Sequence, residues 1–263
     1  MWKHNKRWVY SMTYDEGCRG LLDHALPVHR KYGIPGHVAL LASQVGVPRN
    51  VPGSSYDGMM ILSREELDML AQEGWGVSCH GMSHAGINPD NAHYEVVESK
   101  RMLEEKLRRP VPLFCVPNTN ESYKAALDVA AEAGYTAIMT LTDMVNELSG
   151  MRRIHPFAST PTEPSEAPEV GILNLGRVPL HTEYPPPFYS RFDPYKRIHQ
   201  AIDAGGWIID YCHCPTPGSP VHPWKDCTTE QLDERFATIR RIGGDEVWLA
   251  EPNEVVEYTL SNR

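Results

Sequence analysis

The amino-acid sequence predicts an α/β fold, a distorted barrel of the (β/α)7 type. Two observations lead to this prediction: short apolar runs typical of strands alternate with amphipathic segments typical of helices, and roughly seven such units fit into the 263 residues. Strands connected by helices run parallel, because the helix carries the chain back to the starting edge of the sheet. A barrel is then the simplest closure, since it leaves few strand edges unpaired.

In the first half of the chain, apolar runs are followed by helical patterns. Ser63 and Glu66 form the capping-box pattern that begins a helix, and Gly33 is a typical residue after a helix end. Strands are therefore predicted over residues 8–15, 36–43, 75–80, 111–117 and 135–141, and helices over residues 21–33, 63–74, 93–109 and 121–134.

The second half begins with an irregular segment and then returns to the same alternation. Residues 150–193 are rich in proline and lack a helical or strand period, which predicts long surface loops around a short strand at 170–175. No internal repeat or linker divides the sequence, so one domain over 1–263 is expected. The remaining elements are helices at 193–206, 228–244 and 253–260 and strands at 207–213 and 246–251.

Composition argues against several classes of partner and location. Acidic residues outnumber basic ones by 34 to 25 and no basic stripe is present, which argues against nucleic acid. No apolar stretch reaches the ~20 residues of a membrane span, and the first residues lack the apolar core of a secretory signal. Six cysteines are too few for a disulfide scaffold, so a reducing, cytoplasmic location is expected. Homo-oligomerisation stays open.

Chemically reactive side chains cluster at the predicted strand ends. In a barrel of parallel strands the active residues lie at the carboxyl ends of the strands. Each candidate also has a structural interpretation, as a solvated turn, a surface pair of histidines or a buried histidine. The residues at these ends are Asp15, Glu16, His80, His84, Cys115 to Asn118, Asp143 and His213.

The spacing of two of these histidines indicates a metal site. His80 and His84 are four residues apart, so both imidazoles can reach one ion if the chain coils there. Two imidazoles with one carboxylate and an open position are the usual catalytic zinc arrangement. The expected cofactor is therefore one divalent cation, with zinc first and manganese, cobalt or nickel as alternatives. A second carboxylate would then serve as base and His213 as acid.

Four motifs resemble the polysaccharide deacetylase family, also called the NodB-homology family. "MTYDEG", "HGMSH", "FCVPN" and "IIDYCH" occur in the order and at roughly the separations of that family, and the resemblance extends over residues 8–258. It implies a single polysaccharide-deacetylase-like catalytic domain. It further implies that Asp15 is the catalytic base, that Glu16, His80 and His84 bind the metal, and that His213 protonates the leaving amine.

The motifs depart from the family pattern at three points. Glu16 stands where aspartate is typical, and Cys115 stands where an arginine normally pairs with the catalytic acid. The aspartate–tryptophan pair of the fourth motif is not visible in "TLTDMVN". Arg153 in "MRRIHP" resembles the arginine of a subgroup and is expected to supply the lost charge, with Arg152 as the competing assignment.

The reaction implied is hydrolysis of an N-acyl group, N-acetyl first, on an amino sugar, a short oligosaccharide or another small amide. Aromatic and proline residues in the late loops would either stack on sugar rings or only rigidify those loops, whereas Asp143 and His181 are expected to be structural. Residues expected to contact substrate are Arg153, Pro117, Asn118, Tyr184 and Trp224.

Three other functions remain open from the sequence. A C–N hydrolase on the same scaffold could open cyclic amides, as allantoinase-like relatives do, although those relatives typically lack ligand histidines. A degraded site would leave a non-catalytic carbohydrate-binding protein. A hydrolase with Cys79 or Cys212 as nucleophile is the most distant alternative, because adjacent Cys and His side chains rarely face each other.

Overall fold

The computed structural model describes residues 1–118, 122–147, 172–184 and 190–262. Its strands are β1 (Trp8–Glu16), β2 (Gly36–Leu40), β3 (Gly76–Cys79), β4 (Leu113–Cys115), β5 (Ala137–Leu141), β6 (Leu173–Pro179), β7 (Trp207–Cys212) and β8 (Val247–Leu249). Its α-helices are α1 (Leu21–His24), α2 (Leu26–Tyr32), α3 (Arg64–Gln72), α4 (Ser99–Leu107), α5 (Tyr123–Ala130), α6 (Ile198–Ala204), α7 (Thr229–Gly243) and α8 (Pro252–Ser261).

The strands close into a barrel around β1. The sheet order is β2-β3-β4-β5-β6-β7-β1-β8, and β1 also pairs with β2, so seven strands form the closed ring. All of these pairings are parallel. The short β8 pairs with Trp8 to Tyr10 at the start of β1, whereas β2 pairs with Met12 to Glu16 at its end. The prediction of a distorted (β/α)7 barrel is confirmed.

The burial of β1 explains its sequence. All nine of its residues are buried, as expected for a parallel strand with packing on both faces, so the run from Trp8 to Tyr14 contains no charged residue. Helices cover the outside of the barrel, and two of them begin with capping boxes. Ser63 with Glu66 starts α3 as predicted, and Thr228 with Gln231 starts α7.

Two elements differ from the sequence prediction for identifiable reasons. The helix predicted over 21–33 is split into α1 and α2, because Pro27 has no N–H to continue the hydrogen-bond ladder. The strand predicted over 170–175 is β6, which extends to Pro179. β6 therefore contains Gly176 and Pro179, two residue types that usually interrupt strands. A side chain at Gly176 would collide with the Thr142 hydroxyl, so glycine is required for that close approach.

A buried histidine joins α2 to the barrel. The ring of His29 is 2% exposed and both of its nitrogens have partners, the Tyr14 hydroxyl and the Ile34 carbonyl oxygen, each at 2.7 Å. The ring also packs against Trp75, with 4.4 Å between ring centroids. Burial disfavours the charged imidazolium and lowers the pKa of His29 to about 3, although the bond to Ile34 opposes this shift.

We expect His29 to make the protein less stable as the pH falls. Because the pKa of His29 is about 3 in the folded chain and 6.5 ordinarily, the unfolded state binds more protons between these values. Stability should therefore decrease by up to about 1.4 kcal/mol per pH unit below pH 6.5. Urea unfolding at pH 7 and pH 5 measures this, and His29→Gln should show the smaller loss. An equal loss in both proteins would contradict the assignment.

Candidate active site

One cavity of about 570 Å³ lies at the carboxyl ends of the strands. It collects residues that are far apart in sequence, because the ends of parallel strands and the loops that follow them meet at one rim of the barrel. Among the residues predicted from the sequence, the cavity is lined by Asp15, Glu16, His80, His84, Asn118, His213 and Trp224. Others that line it include Arg49, Arg177, His181, Tyr211 and Lys225.

The adjacent acids at the end of β1 both line this cavity because the chain turns there. Glu16 and Gly17 have φ values of 75° and 74°, in the left-handed region. For glutamate this conformation costs on the order of 1–3 kcal/mol, a strain typical of functional sites. Gly17 lies so close to Leu40 that an added Cβ would be 2.5 Å from its side chain. Neighbouring side chains on a regular strand point to opposite faces, and this turn lets Asp15 and Glu16 reach the same cavity instead.

Glu16, His80 and His84 form a candidate metal centre. One possible ligand atom from each lies within 4.8 Å of the other two. His84 Nε2 is 3.1 Å from Glu16 Oε1. His84 reaches this position through an irregular loop with φ 70°, not through the helical turn that the spacing suggested. The Asn118 side-chain amide donates to the His84 carbonyl oxygen at 2.9 Å and thereby holds the loop.

The donor set fits a divalent cation. His80 Nδ1 bonds to the Cys115 carbonyl oxygen at 2.9 Å, which leaves Nε2 as its ligand atom, a common arrangement around metal-binding histidines. Burial lowers the pKa of His80 to about 4, so the ring is neutral. A second group, Asp15 with His80 and Cys115, is also close enough. Burial raises the pKa of the Cys115 thiol well above its usual value, and a protonated thiol is a poor ligand.

A buried arginine, Arg49, neutralises Glu16. Its Nη2 donates to Glu16 Oε1 at 2.6 Å and its Nε donates to Oε2 at 2.5 Å. Burial would raise the pKa of Glu16, but hydrogen bonds from His84 and Arg49 outweigh it and hold that pKa well below the usual range. A carboxylate offers about four acceptor positions, so Arg49 leaves room for a cation on the side facing His84.

A second buried arginine, Arg177, neutralises Asp15. Its Nη1 donates to Oδ1 at 2.6 Å and its Nη2 to Oδ2 at 3.1 Å, and its guanidinium lies 4.4 Å from the Tyr211 ring centroid. Burial alone would raise the pKa of Asp15, but the positive charge and the hydrogen bonds of Arg177 hold it well below the usual range. Asp15 is therefore ionised. Arg153 and Arg152, the arginines expected near Asp15, lie outside the described residues.

The loop that follows β7 holds the His213 side chain in place. Its Nδ1 bonds to the Lys225 carbonyl oxygen at 3.0 Å, so this nitrogen carries the hydrogen and Nε2 remains available. The ring stacks on Tyr56 with 4.9 Å between centroids. Asp226 accepts hydrogen bonds from the Tyr56 hydroxyl at 2.7 Å and from the His213 backbone N–H at 3.0 Å. This network orients the imidazole.

The residues expected to contact substrate divide into three groups. Asn118 and the half-exposed Trp224 line the cavity. Pro117 and Tyr184 do not line it; Pro117 is buried, and Tyr184 stacks behind His181 with 5.7 Å between ring centroids. Arg153 is not among the described residues.

Sequence reasoning did not single out Arg49 or Arg177 and treated His181 as structural. Arg177 and His181 flank the end of β6, and the predicted strand ended before both of them. The strand-end criterion would have found Arg177 had the strand been extended. Arg49 lies in the loop after β2, where no pattern distinguishes it from a surface arginine. The expectation for Asp143 agrees with the structure, because this residue pairs with Lys196 at 3.0 Å and Arg197 at 3.5 Å.

Comparisons with solved structures support the fold. A protein from Mycobacterium smegmatis, described as a polysaccharide deacetylase, superposes with a TM-score of 0.58 at 16% identity, over 99% of this chain and 93% of that chain. The T48 deacetylase, solved with substrate, gives a TM-score of 0.51 at 12% identity, over 97% and 91% of the two chains. None of the helices in the described part of the chain has the length and apolar character of a membrane span.

Sequence comparison gives the family. YxkH of Bacillus subtilis (strain 168), whose name places it among the polysaccharide deacetylases, is 22% identical over 156 residues, or 57% of this chain and 51% of the relative. The match thus spans about half the length of that protein. The family profile described as polysaccharide deacetylase matches residues 3–138, which include Asp15, Glu16, His80 and His84. The chain belongs to the polysaccharide deacetylase family.

Proposed function

We propose that this protein is a metal-dependent hydrolase that removes an N-acyl group, N-acetyl first, from an amino sugar, a short oligosaccharide or another small amide. One observation supports the proposal most directly. The ligand atoms of Glu16, His80 and His84 converge in the same cavity that holds an ionised Asp15 and an oriented His213. A carboxylate base, a histidine acid and a cation site are groups that metal-assisted amide hydrolysis uses.

In this proposal Glu16, His80 and His84 hold the cation, and two other residues move protons. When bound, the ion supplies Lewis-acid chemistry that polarises an amide carbonyl and makes water more acidic. Asp15 accepts a proton from the attacking water, and Arg177 keeps this carboxylate ionised and oriented. His213 donates a proton through Nε2 to the departing nitrogen, because its Nδ1 is committed to the Lys225 carbonyl oxygen. An amine leaves poorly without that proton.

The proposed catalytic unit is the whole of residues 1–263, since His213 and Arg177 lie beyond the range matched by the family profile. Zinc is the first candidate for the ion, and manganese, cobalt and nickel suit the same ligands. The cytoplasmic location stays a prediction.

The alternatives have less support. The ligand histidines that allantoinase-like relatives typically lack are both present here, and they meet at Glu16. A cysteine nucleophile is disfavoured, because burial raises the pKa values of the Cys79 and Cys212 thiols and neither residue lines the cavity.

A metal-removal experiment tests the proposal. We expect chelation to lower the rate of amine release from an N-acetylated substrate by about 100-fold or more, since metal and base act together. One equivalent of zinc or cobalt should restore it. The measurement is release of primary amine from a panel of N-acetylated sugars, small acyl amides and one cyclic amide. Full activity after chelation, or opening of the cyclic amide alone, would contradict the proposed function.

A further inference from the structure

His181 is a buried histidine whose ring has no hydrogen-bond partner among the described residues. It follows β6, lines the cavity and is only 3% exposed. Both Nδ1 and Nε2 are without a partner. Buried polar side-chain atoms nearly always have a partner, so a histidine with two free nitrogens at a cavity wall requires an explanation.

Aromatic packing, and not hydrogen bonding, fixes this ring. It stacks on Tyr184 with an interplanar angle of 22°, and it meets the edge of Tyr211 with 5.2 Å between ring centroids. Tyr211 also packs against the guanidinium of Arg177, which holds Asp15. The imidazole is therefore held in place beside the acid–base machinery while both polar atoms stay unused.

The charge of the site indicates which group the ring can bind. Burial, together with the nearby positive charge of Lys196, lowers the pKa of His181 well below its usual value, so the ring is neutral. A neutral imidazole has one donor and one acceptor. The acids Asp15 and Glu16 are each already paired with an arginine. These acids are not partners of the ring, and a neutral group that both donates and accepts, such as a hydroxyl, would complement it.

We propose that His181 is a substrate-binding residue that hydrogen-bonds a hydroxyl of the substrate and favours neutral, hydroxyl-bearing amides. The inference rests on the proposed function and deepens it by naming a residue that binds the substrate.

Stability separates a binding role from a structural one. His181→Leu removes two unsatisfied polar atoms, so the melting temperature should stay the same or rise. His29→Leu is the matched control, because His29 is equally buried but both of its nitrogens are bonded, to Tyr14 and Ile34. This control should melt at a clearly lower temperature. A loss in His181→Leu as large as that in His29→Leu would overturn the proposal.

Substrate preference provides the second readout. The probes are N-acetylglucosamine, N-cyclohexylacetamide, which lacks hydroxyls, and N-acetylglucosamine 6-phosphate, which is anionic. We expect His181→Leu to raise KM for N-acetylglucosamine about tenfold with little change in kcat, and to leave N-cyclohexylacetamide unaffected. His181→Gln should recover part of the binding. An equal loss on both neutral probes, or a preference for the phosphate that persists in His181→Leu, would overturn the assignment.

A binding measurement without turnover distinguishes a failure of the His181 proposal from a failure of the proposed hydrolysis. The thermal shift caused by N-acetylglucosamine is recorded for wild type and His181→Leu in the presence of zinc. A shift that His181→Leu abolishes supports the binding role even if no amide is hydrolysed, in which case only the proposed reaction is wrong. No shift in either protein would overturn the role of His181.

Discussion

Replacing Asp15 with Asn is expected to lower kcat by about 10²–10⁴-fold while the bound metal is retained. Asparagine has nearly the same shape but cannot accept the proton that the proposed mechanism gives to Asp15. The metal ligands Glu16, His80 and His84 are unchanged, so elemental analysis should still find one ion per chain. A fully active Asp15→Asn protein would show that another group is the base.

This substitution also breaks a buried ion pair, so a second variant is needed to interpret it. Removing one partner of a buried pair typically destabilises by about 3–5 kcal/mol, because the other charge is left uncompensated. Arg177 is the charge left behind here. The double variant Asp15→Asn/Arg177→Gln removes both charges and should recover much of the stability in urea unfolding, while kcat stays low. If the double variant is as unstable as the sum of both single variants, the two residues are not energetically coupled.

Replacing His84 with Ala is expected to abolish metal binding and activity together. A cation that binds only the folded state stabilises it by about 2.7 kcal/mol at a concentration one hundred times its dissociation constant. Zinc should therefore raise the melting temperature of the wild-type protein by several degrees and leave His84→Ala unchanged. His84 is preferred to His80 for this test, because it is less buried and its ring does not bond to the backbone carbonyl of β4.

His213→Ala is the matched control for this experiment. His213 lines the same cavity, but it belongs to neither candidate group of ligands, and its ring is held by the Lys225 carbonyl oxygen and Tyr56. We expect His213→Ala to keep the zinc-induced shift and to lose turnover on amides. Loss of the shift in both variants, or in neither, would mean that the ligand set is assigned wrongly.

The barrel could be predicted from the sequence because its strands carry local signals. Each described strand overlaps a predicted apolar run, and the capping box at Ser63 identified the start of α3. Two of the boundaries that were wrong have chemical causes. Pro27 interrupts a helix whose apolar pattern continues through it. Gly176 lies within β6 because only glycine fits the close contact with Thr142, and this contact exists only in the folded chain.

The candidate site was predictable only where its residues form motifs. Asp15, Glu16, His80, His84 and His213 stand in short motifs at strand ends, and they line one cavity. The arginines that neutralise Asp15 and Glu16 belong to no motif of this kind. Arg177 is 162 residues from Asp15 and Arg49 is 33 residues from Glu16, so these pairs exist only through folding. Cys115 occupies the usual place of the arginine, yet the guanidinium is supplied from β6 instead.

The two arginine–carboxylate pairs also bear on how the protein acquires its cofactor. Zinc fingers are unfolded without their ion, since the ion provides most of the free energy of folding. Here Arg49 and Arg177 already neutralise the two carboxylates that line the cavity, so the chain should reach its native state before any cation is present. Apoprotein prepared in metal-depleted medium could then be reconstituted with cobalt(II), whose visible absorption reports coordination number in a way that zinc cannot.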